Sequence, residues 1–445
     1  MGRAEERARR KLEVNPIGEC NEIRKKFCRS LFDDFAGTAD PRHPSYVDYS
    51  NKVMLATMYY KGVAGIESMQ GMTYEFNREA VVRNLYGFMG EKAAEYLPHG
   101  VTLNEYFERL DPSELQKVLQ KQVYGLLRRK TFYDARLKGK WLVIVDGTQQ
   151  YSGSVCLNDR CLERRCNKGT EKETVNYHSD VLEAKIVLGE KLIVSIASEF
   201  IENNGEDAGN QKGMSEEERK QDCETKAFKR LAQKLKQAFP RLPIILLADS
   251  LYASEPVMEI CRANGWDYII RYKTGSIPSI TEEYESIPEK ERSGNAEYVN
   301  DIDYNGKAVN MIRYHEVRIE KREEVRVEFQ WLTNIRITVK NAGKIVAAGR
   351  KRWKIENEGF NRQKHWQGEV LTHACSWDAN AMKNHYLMQQ ISDMVKQLYE
   401  WFSLKQKGIN KKQKNISPEL LESFGWPITE TEDISPDGLT SRTGY

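Results

Sequence analysis

The chain has 445 residues, 40% of them hydrophobic, and its 68 Lys and Arg nearly balance its 65 Asp and Glu for a formal net charge of +3. That length and apolar content suffice for two or three domains with real cores, and the near-neutral total excludes reading a partner from overall charge alone. Met1 to Leu12 is dense in Arg and Glu without an apolar stretch, Glu6 stands where a myristoylation signal needs Ser or Thr, and runs such as Leu192–Ala197 and Pro243–Ala248 are too short to span a bilayer. A cytoplasmic protein with no membrane contact is expected. Eight Cys are scattered over the chain, which argues against a disulfide framework.

Residues 1 to 135 read as mostly helical. Tyr49–Tyr60, Arg78–Gly90 and Ser113–Arg129 carry apolar residues at three- and four-residue spacing, and Asp111-Pro112-Ser113-Glu114 is a helix start with an acidic first turn. The pattern changes at Lys140. Trp141-Leu142-Val143-Ile144-Val145 is a continuous apolar run of strand length that ends in Asp146-Gly147-Thr148, as a buried central strand does. Leu182–Leu188 and Leu192–Ile201 follow as strands joined by a hairpin at Gly189-Glu190-Lys191. A helix is expected from Glu224 to Ala238. Pro243–Ala248 is a second buried strand, and it too ends in an acid, Asp249. A helix over Glu255–Asn264 leads to a strand at Tyr268-Ile269-Ile270. Residues 276–342 read as a β-rich insertion with strands at Ala308–Tyr314, Glu316–Ile319 and Val325–Thr333. Gly349–Lys364 reads as helix, Ala379–Phe402 as a long amphipathic helix, and residues 405–445 as a Lys-rich, loosely ordered tail.

The chemistry is carried by acids at strand ends. In an open α/β sheet, ligands bind at the carboxyl edge, and carboxylates on rigid supports there suit a hard cation. Two Asp can bind one Mg²⁺. A third carboxylate allows a pair of ions about 3.5–4 Å apart, the arrangement that serves in-line phosphoryl displacement. The third candidate lies in the segment from Arg350 to Lys364. On a helix Arg352 and Glu356 are four apart and share a face, while Glu358 points elsewhere.

Asp146-Gly147-Thr148, Ala248-Asp249-Ser250-Leu251-Tyr252-Ala253 and Arg352-Trp353-Lys354-Ile355-Glu356 together resemble the DDE transposases of bacterial insertion sequences, from about residue 40 to residue 400. The resemblance implies an α/β fold: a ribonuclease-H-like catalytic core with an N-terminal helical, DNA-binding domain at 1–135 and a β-rich insertion at 276–342. The core would run through 136–275 and resume at 343–404. It implies Asp146, Asp249 and Glu356 as catalytic residues holding two Mg²⁺ ions, with Mn²⁺ able to substitute. It implies cleavage at the ends of an insertion sequence and strand transfer into target DNA. The partners would be terminal inverted repeats and target DNA, bound by a homodimer in a bacterial, nucleoid-associated setting. The family's Tyr-Arg-Glu-Lys signature is met at Arg352 and Glu356. Gly349 stands at the Tyr position, and Gln363 at the Lys position with Lys364 one step later, an extra residue that Gly359 can absorb. The resemblance also implies DNA contacts for Arg352 and Lys364 and base-stacking for Trp331 or Trp353.

Basic stretches add to this expectation. Residues Lys117 to Lys140 hold eight Lys or Arg against one acid, Asp134, and Arg128, Arg129 and Lys130 at their centre are expected to meet phosphates. The Lys-rich helix face at Lys226–Lys236 reads more simply as a solvated surface. Cys156, Cys161, Cys166 and His178 are a candidate zinc site, but they lack the tight spacing of a zinc knuckle and read rather as free buried thiols. A phosphatase of the haloacid dehalogenase type would need Asp at position 144, which is Ile144. The alternative reading is a catalytically inactive, transposase-derived DNA-binding protein.

Overall fold

A computed structural model describes residues 15–203, 222–320, 323–367 and 376–427. The Arg- and Glu-dense Met1–Leu12, Cys375 and the tail beyond 427 lie outside the described residues. Seven helices come first: α1 (Pro16–Phe27), α2 (Leu31–Ala36), α3 (Asn51–Ala64), α4 (Met69–Phe76), α5 (Glu79–Met89), α6 (Gly100–Arg109) and α7 (Pro112–Leu127). Their starts follow local chemistry. The Asn15 side chain accepts from Ile17 N and Gly18 N ahead of Pro16, and Asp111 accepts from Ser113 N ahead of Pro112.

Ten strands then build a single mixed sheet: β1 (Trp141–Gly153), β2 (Leu162–Cys166), β3 (Thr174–Val187), β4 (Ile193–Ile201), β5 (Ile244–Ala248), β6 (Asp267–Tyr272), β7 (Glu291–Ser293), β8 (Ala296–Tyr304), β9 (Lys307–Glu320) and β10 (Glu323–Thr333). The order is β2-β3-β1-β5-β6-β10-β9-β8-β7, with β4 pairing β3. β1 runs antiparallel to β3 and parallel to β5. Two helices, α8 (Glu224–Ala238) and α9 (Glu255–Asn264), make the crossovers into β5 and β6. The expected hairpin turn is closed by Leu188 N donating to Leu192 O.

Residues 276–342 hold α10 (Pro278–Ser286) and β7 to β10. Because β10 pairs β6, setting Gln330 opposite Tyr272, these strands extend the main sheet. Two of the expected strands, Ala308–Tyr314 and Glu316–Ile319, are one continuous strand, β9; His315 between them pairs with Glu328 across β10.

Alternation divides the sheet into two apolar faces. Val143 and Val145 face α8 and the N-terminal helices, while Leu142 and Ile144 face Ile345 and Val346 of α11 (Ala342–Arg350) and Ile355 and Phe360 beyond it. The long helix α12 (Ala379–Tyr399) departs from the amphipathic expectation, with 18 of its 21 residues buried. It is surrounded by α1, α3, α6, α7 and β4. A helix covered on every side buries polar residues too, and its charged ones are paired: Lys396 Nζ donates to Ser417 Oγ at 2.7 Å and Asp393 accepts from Arg362 Nε at 2.9 Å. Residues 413–423, expected in the loose tail, form α13 (Gln413–Ser423), held by buried Ile416, Leu420 and the adjacent Phe424 against α1 and α3. No helix among the described residues is long and apolar enough to cross a membrane.

Candidate active site

The parallel pairing of β1 with β5 sets Ile144 opposite Leu247. Two residues further along each strand path stand Asp146 and Asp249, at the same level and, by alternation, on the face that carries Ile355. Asp249 caps the short turn Ser250–Tyr252, its Oδ1 accepting from Leu251 N at 2.8 Å. The third acid comes from the segment after α11. Arg352, in the 3₁₀ turn Lys351–Trp353, donates from Nη1 to Asp146 Oδ2 at 3.0 Å and from Nη2 to Glu356 Oε1 at 3.0 Å. One guanidinium thus bridges two acids 210 positions apart, in the fork geometry that suits Arg.

Burial pushes the Asp146 carboxyl up to about 7; Arg352 opposes this, and the negative charges of Glu356, Asp249 and Glu224 add to it. Four carboxylates therefore act on one another at this edge. Glu224 was not foreseen. It begins α8, accepts from the Tyr252 hydroxyl at 3.0 Å, and is itself pushed up by burial, with Asp249 and Asp180 adding. In the sequence it is an ordinary acid in a helix's first turn. Thr148, on the same face of β1 as Asp146, is 6% exposed and its hydroxyl has no hydrogen-bond partner among the described residues. Among the described residues no three His, Cys, Asp or Glu are gathered to metal-ligating distance, and Arg352 stands between two of the acids. The donor set itself fits a hard divalent cation: oxygens only, in excess of the basic groups that neutralise them, beside an unpartnered hydroxyl.

The remaining residues separate clearly. Glu358 pairs with Lys354 at 3.8 Å and takes no part in the Arg352 bridge. Trp353 is 53% exposed, with the Arg352 guanidinium 5.3 Å from its ring centre. Trp331, expected to offer a stacking face, is 2% exposed; it stacks on Phe329 and packs against Gly349. A Cβ at 349 would come within 2.5 Å of Trp331 Nε1, so the indole fills the place a Tyr side chain would need.

The residues Ile355–Phe360 and Arg362–Trp366 wind as π-helix. Each π turn takes one more residue than an α turn, which is the extra residue between Glu356 and Lys364. Gln363 accordingly turns inward, fully buried and donating to Gln390 Oε1 and Asp393 Oδ2. Lys364 stays at the edge, where burial lowers its pKa and Asp180 opposes.

Arg128 and Lys130 are exposed at the end of α7, and the Arg129 guanidinium lies 4.9 Å from the Phe27 ring centre. None of the three pairs with the Asp146 cluster. On α8, Arg230 is engaged by Glu199 and Asp222, and Lys234 by Glu199. Cys156 and Cys161 meet side chain to side chain beside Asn158, but only Cys161 is buried as expected; Cys156 and Cys166 are exposed, and the His178 ring bonds Asp180 at 2.8 Å.

Comparison with known proteins agrees with the motifs. The family model of the transposase DDE domain matches residues 220–387, a span that includes Asp249 and Glu356 and begins after Asp146. No curated protein matches. Among solved structures, a cryo-EM piggyBac transposase synaptic complex with hairpin DNA is similar at 12% identity and a TM-score of 0.43, over 93% of this chain and 80% of that one. That likeness is too loose to carry an argument. Residues 220–387 thus match the transposase DDE domain, the family that the motifs of this chain resemble.

Proposed function

We propose that this protein is a DNA transposase that cleaves at the ends of its own mobile element and joins the freed ends to target DNA, with Asp146, Asp249 and Glu356 as its catalytic carboxylates. The observation that carries this reading is the level placement of Asp146 and Asp249 on adjacent parallel strands, closed by the Arg352 bridge to Glu356. The strand order β4-β3-β1-β5-β6, with three antiparallel strands followed by two parallel ones, supports a ribonuclease-H-like core.

Asp146, Asp249 and Glu356 would hold divalent ions, Mg²⁺ or Mn²⁺. Such ions, when bound, lower the pKa of an attacking water or hydroxyl and neutralise charge on the leaving oxygen. Asp146, inside β1 just past its parallel pairing with β5, and Asp249, directly after β5, would present their oxygens from fixed backbone positions, which sets their spacing. Arg352 orients Asp146 and Glu356 and carries the charge to hold a phosphate. Trp353 offers an exposed ring on which an unpaired base can stack. Lys364, Arg128, Arg129 and Lys130 would contact the DNA backbone, and a homodimer would pair two ends.

The test uses duplexes bearing the repeats that flank the gene, incubated with Mg²⁺. Nicking at the repeat ends and joined products are expected. Specific binding with no cleavage under Mg²⁺ or Mn²⁺ would favour the silent DNA-binding alternative.

A further inference from the structure

Glu224 stands apart from the three acids that the motifs point to. It comes from α8, on the other face of the sheet, and its carboxylate lies directly behind Gly147, between Asp146 and Thr148. The contact is close enough that a Cβ at 147 would overlap Glu224 Oε1, which accounts for glycine at that point of β1. The other oxygen accepts from the hydroxyl of Tyr252, which is fully buried. Tyr252 closes the short turn that Asp249 caps. A single side chain thus touches the backbone beside Asp146 and holds the turn that carries Asp249.

Charge gives a second reason to assign it a role. Arg352 serves Asp146 and Glu356, and no Lys or Arg among the described residues pairs with Asp249 or Glu224. A half-buried carboxylate is costly without a positive partner, and here it adds to a negative cluster beside the unpartnered Thr148 hydroxyl. The surplus is one of negative charge aimed at one edge.

We propose that Glu224 is a fourth carboxylate of the cation site, a positioning residue that adds negative charge behind Asp146 and, through Tyr252, fixes Asp249. This rests on the transposase reading above, since it assumes that the site holds a divalent ion.

The experiment is calorimetric titration of the full chain with Mn²⁺, without DNA, for the unmodified protein and the variants Asp146→Asn, Glu224→Gln, Glu224→Asp and Tyr252→Phe, with a thermal melt of each. The unmodified protein should bind Mn²⁺, and Asp146→Asn should remove binding. Glu224→Gln, nearly isosteric, should weaken affinity by about tenfold, as loss of an outer partner at a metal site does. Tyr252→Phe should weaken it less, and Glu224→Asp should recover part of the loss because it keeps the charge. Unchanged affinity in Glu224→Gln beside lost binding in Asp146→Asn would overturn the proposal and leave the transposase reading standing. Equal weakening in the Gln and Asp variants, tracking lowered melting temperature, would reduce Glu224 to a packing role and overturn it as well. Absence of Mn²⁺ binding in the unmodified protein would overturn the cation site itself, and the proposal with it.

Discussion

Asp146 has a carboxyl at about 7 when folded, against an ordinary value near 3.9 when unfolded. The folded state therefore holds the proton more tightly. Its contribution to stability is complete at low pH, erodes as pH rises from about 4 to about 7, and is flat above. Asn at this position cannot ionise. In chelator, Asp146→Asn should gain on the unmodified protein by about 2–3 kcal/mol between pH 5 and pH 8, the share of the linkage that falls in that window; the lost Arg352 contact is a constant offset at both pH values. Urea melts at both pH values check this, and a pH-independent difference would show that burial and the neighbouring acids do not raise the Asp146 carboxyl. Gly349 makes a second point at this scale. Gly349→Ala should cost about 1–3 kcal/mol through overlap with the Trp331 indole, and the loss should shrink when Trp331 is also cut back to Ala. Both Asp were legible in the sequence as acids that close a buried apolar run, but only Asp249 follows a strand end; β1 runs on through Asp146 to Gly153, because it keeps pairing with β3 after its parallel pairing with β5 stops. The burial of Trp331 was not, since a Trp in a strand looks the same whether it faces core or solvent. Glu224 was hidden for a similar reason, as an acid in a first helical turn is ordinary and only the fold brings it behind Gly147.

At the scale of elements, the segment from Arg350 to Trp366 is where spacing in the sequence and spacing in space part. Read as α-helix, the step of eight positions from Glu356 to Lys364 is one too many for the signature. Read as the π-helix that forms, they place Gln363 inside and Lys364 at the edge. The winding is fixed from within. Arg362, 2% exposed, donates to Asp393 Oδ1 and to both oxygens of Glu400, while Gln363 and Gln367 also donate to Asp393. Arg362→Met should leave the buried Asp393 and the half-buried Glu400 without their shared cation and cost about 3–5 kcal/mol, read as a fall in the urea midpoint. Replacing Asp393 by Asn together with Arg362→Met should cost less than the sum of the single changes. Composition announced a helix here, but its pitch depends on buried partners far away on α12, which no local pattern encodes.

At the scale of the whole molecule, the N-terminal helices, one face of the sheet and the C-terminal helices share one apolar core. The expected separation of residues 1–135 from the rest rested on a change of periodicity at Lys140, which is real, but periodicity reports an element's own exposure and not its neighbours. α12 is the centre of that core, and the segment after it closes the N-terminal bundle: Phe424 meets Tyr60 edge-on with ring centres 5.6 Å apart, and Asn84 donates to Phe424 O and Trp426 O. Phe424→Ala should therefore cost about 3–5 kcal/mol and lower one common unfolding transition, followed by both near- and far-ultraviolet circular dichroism. A helical transition that separates from the rest would contradict the shared core. The central claim concerns the carboxylates, and the most direct measurement is Mg²⁺-dependent cleavage of the element's own ends by four variants: Asp146→Asn, Asp249→Asn, Glu356→Gln and Glu358→Gln. The account predicts that the first three lose cleavage by at least about 10²-fold, the scale of removing groups that stabilise a transition state, while still binding the DNA, and that Glu358→Gln cleaves. Loss in Glu358→Gln with activity retained in Glu356→Gln, or cleavage that survives Asp146→Asn, would contradict it.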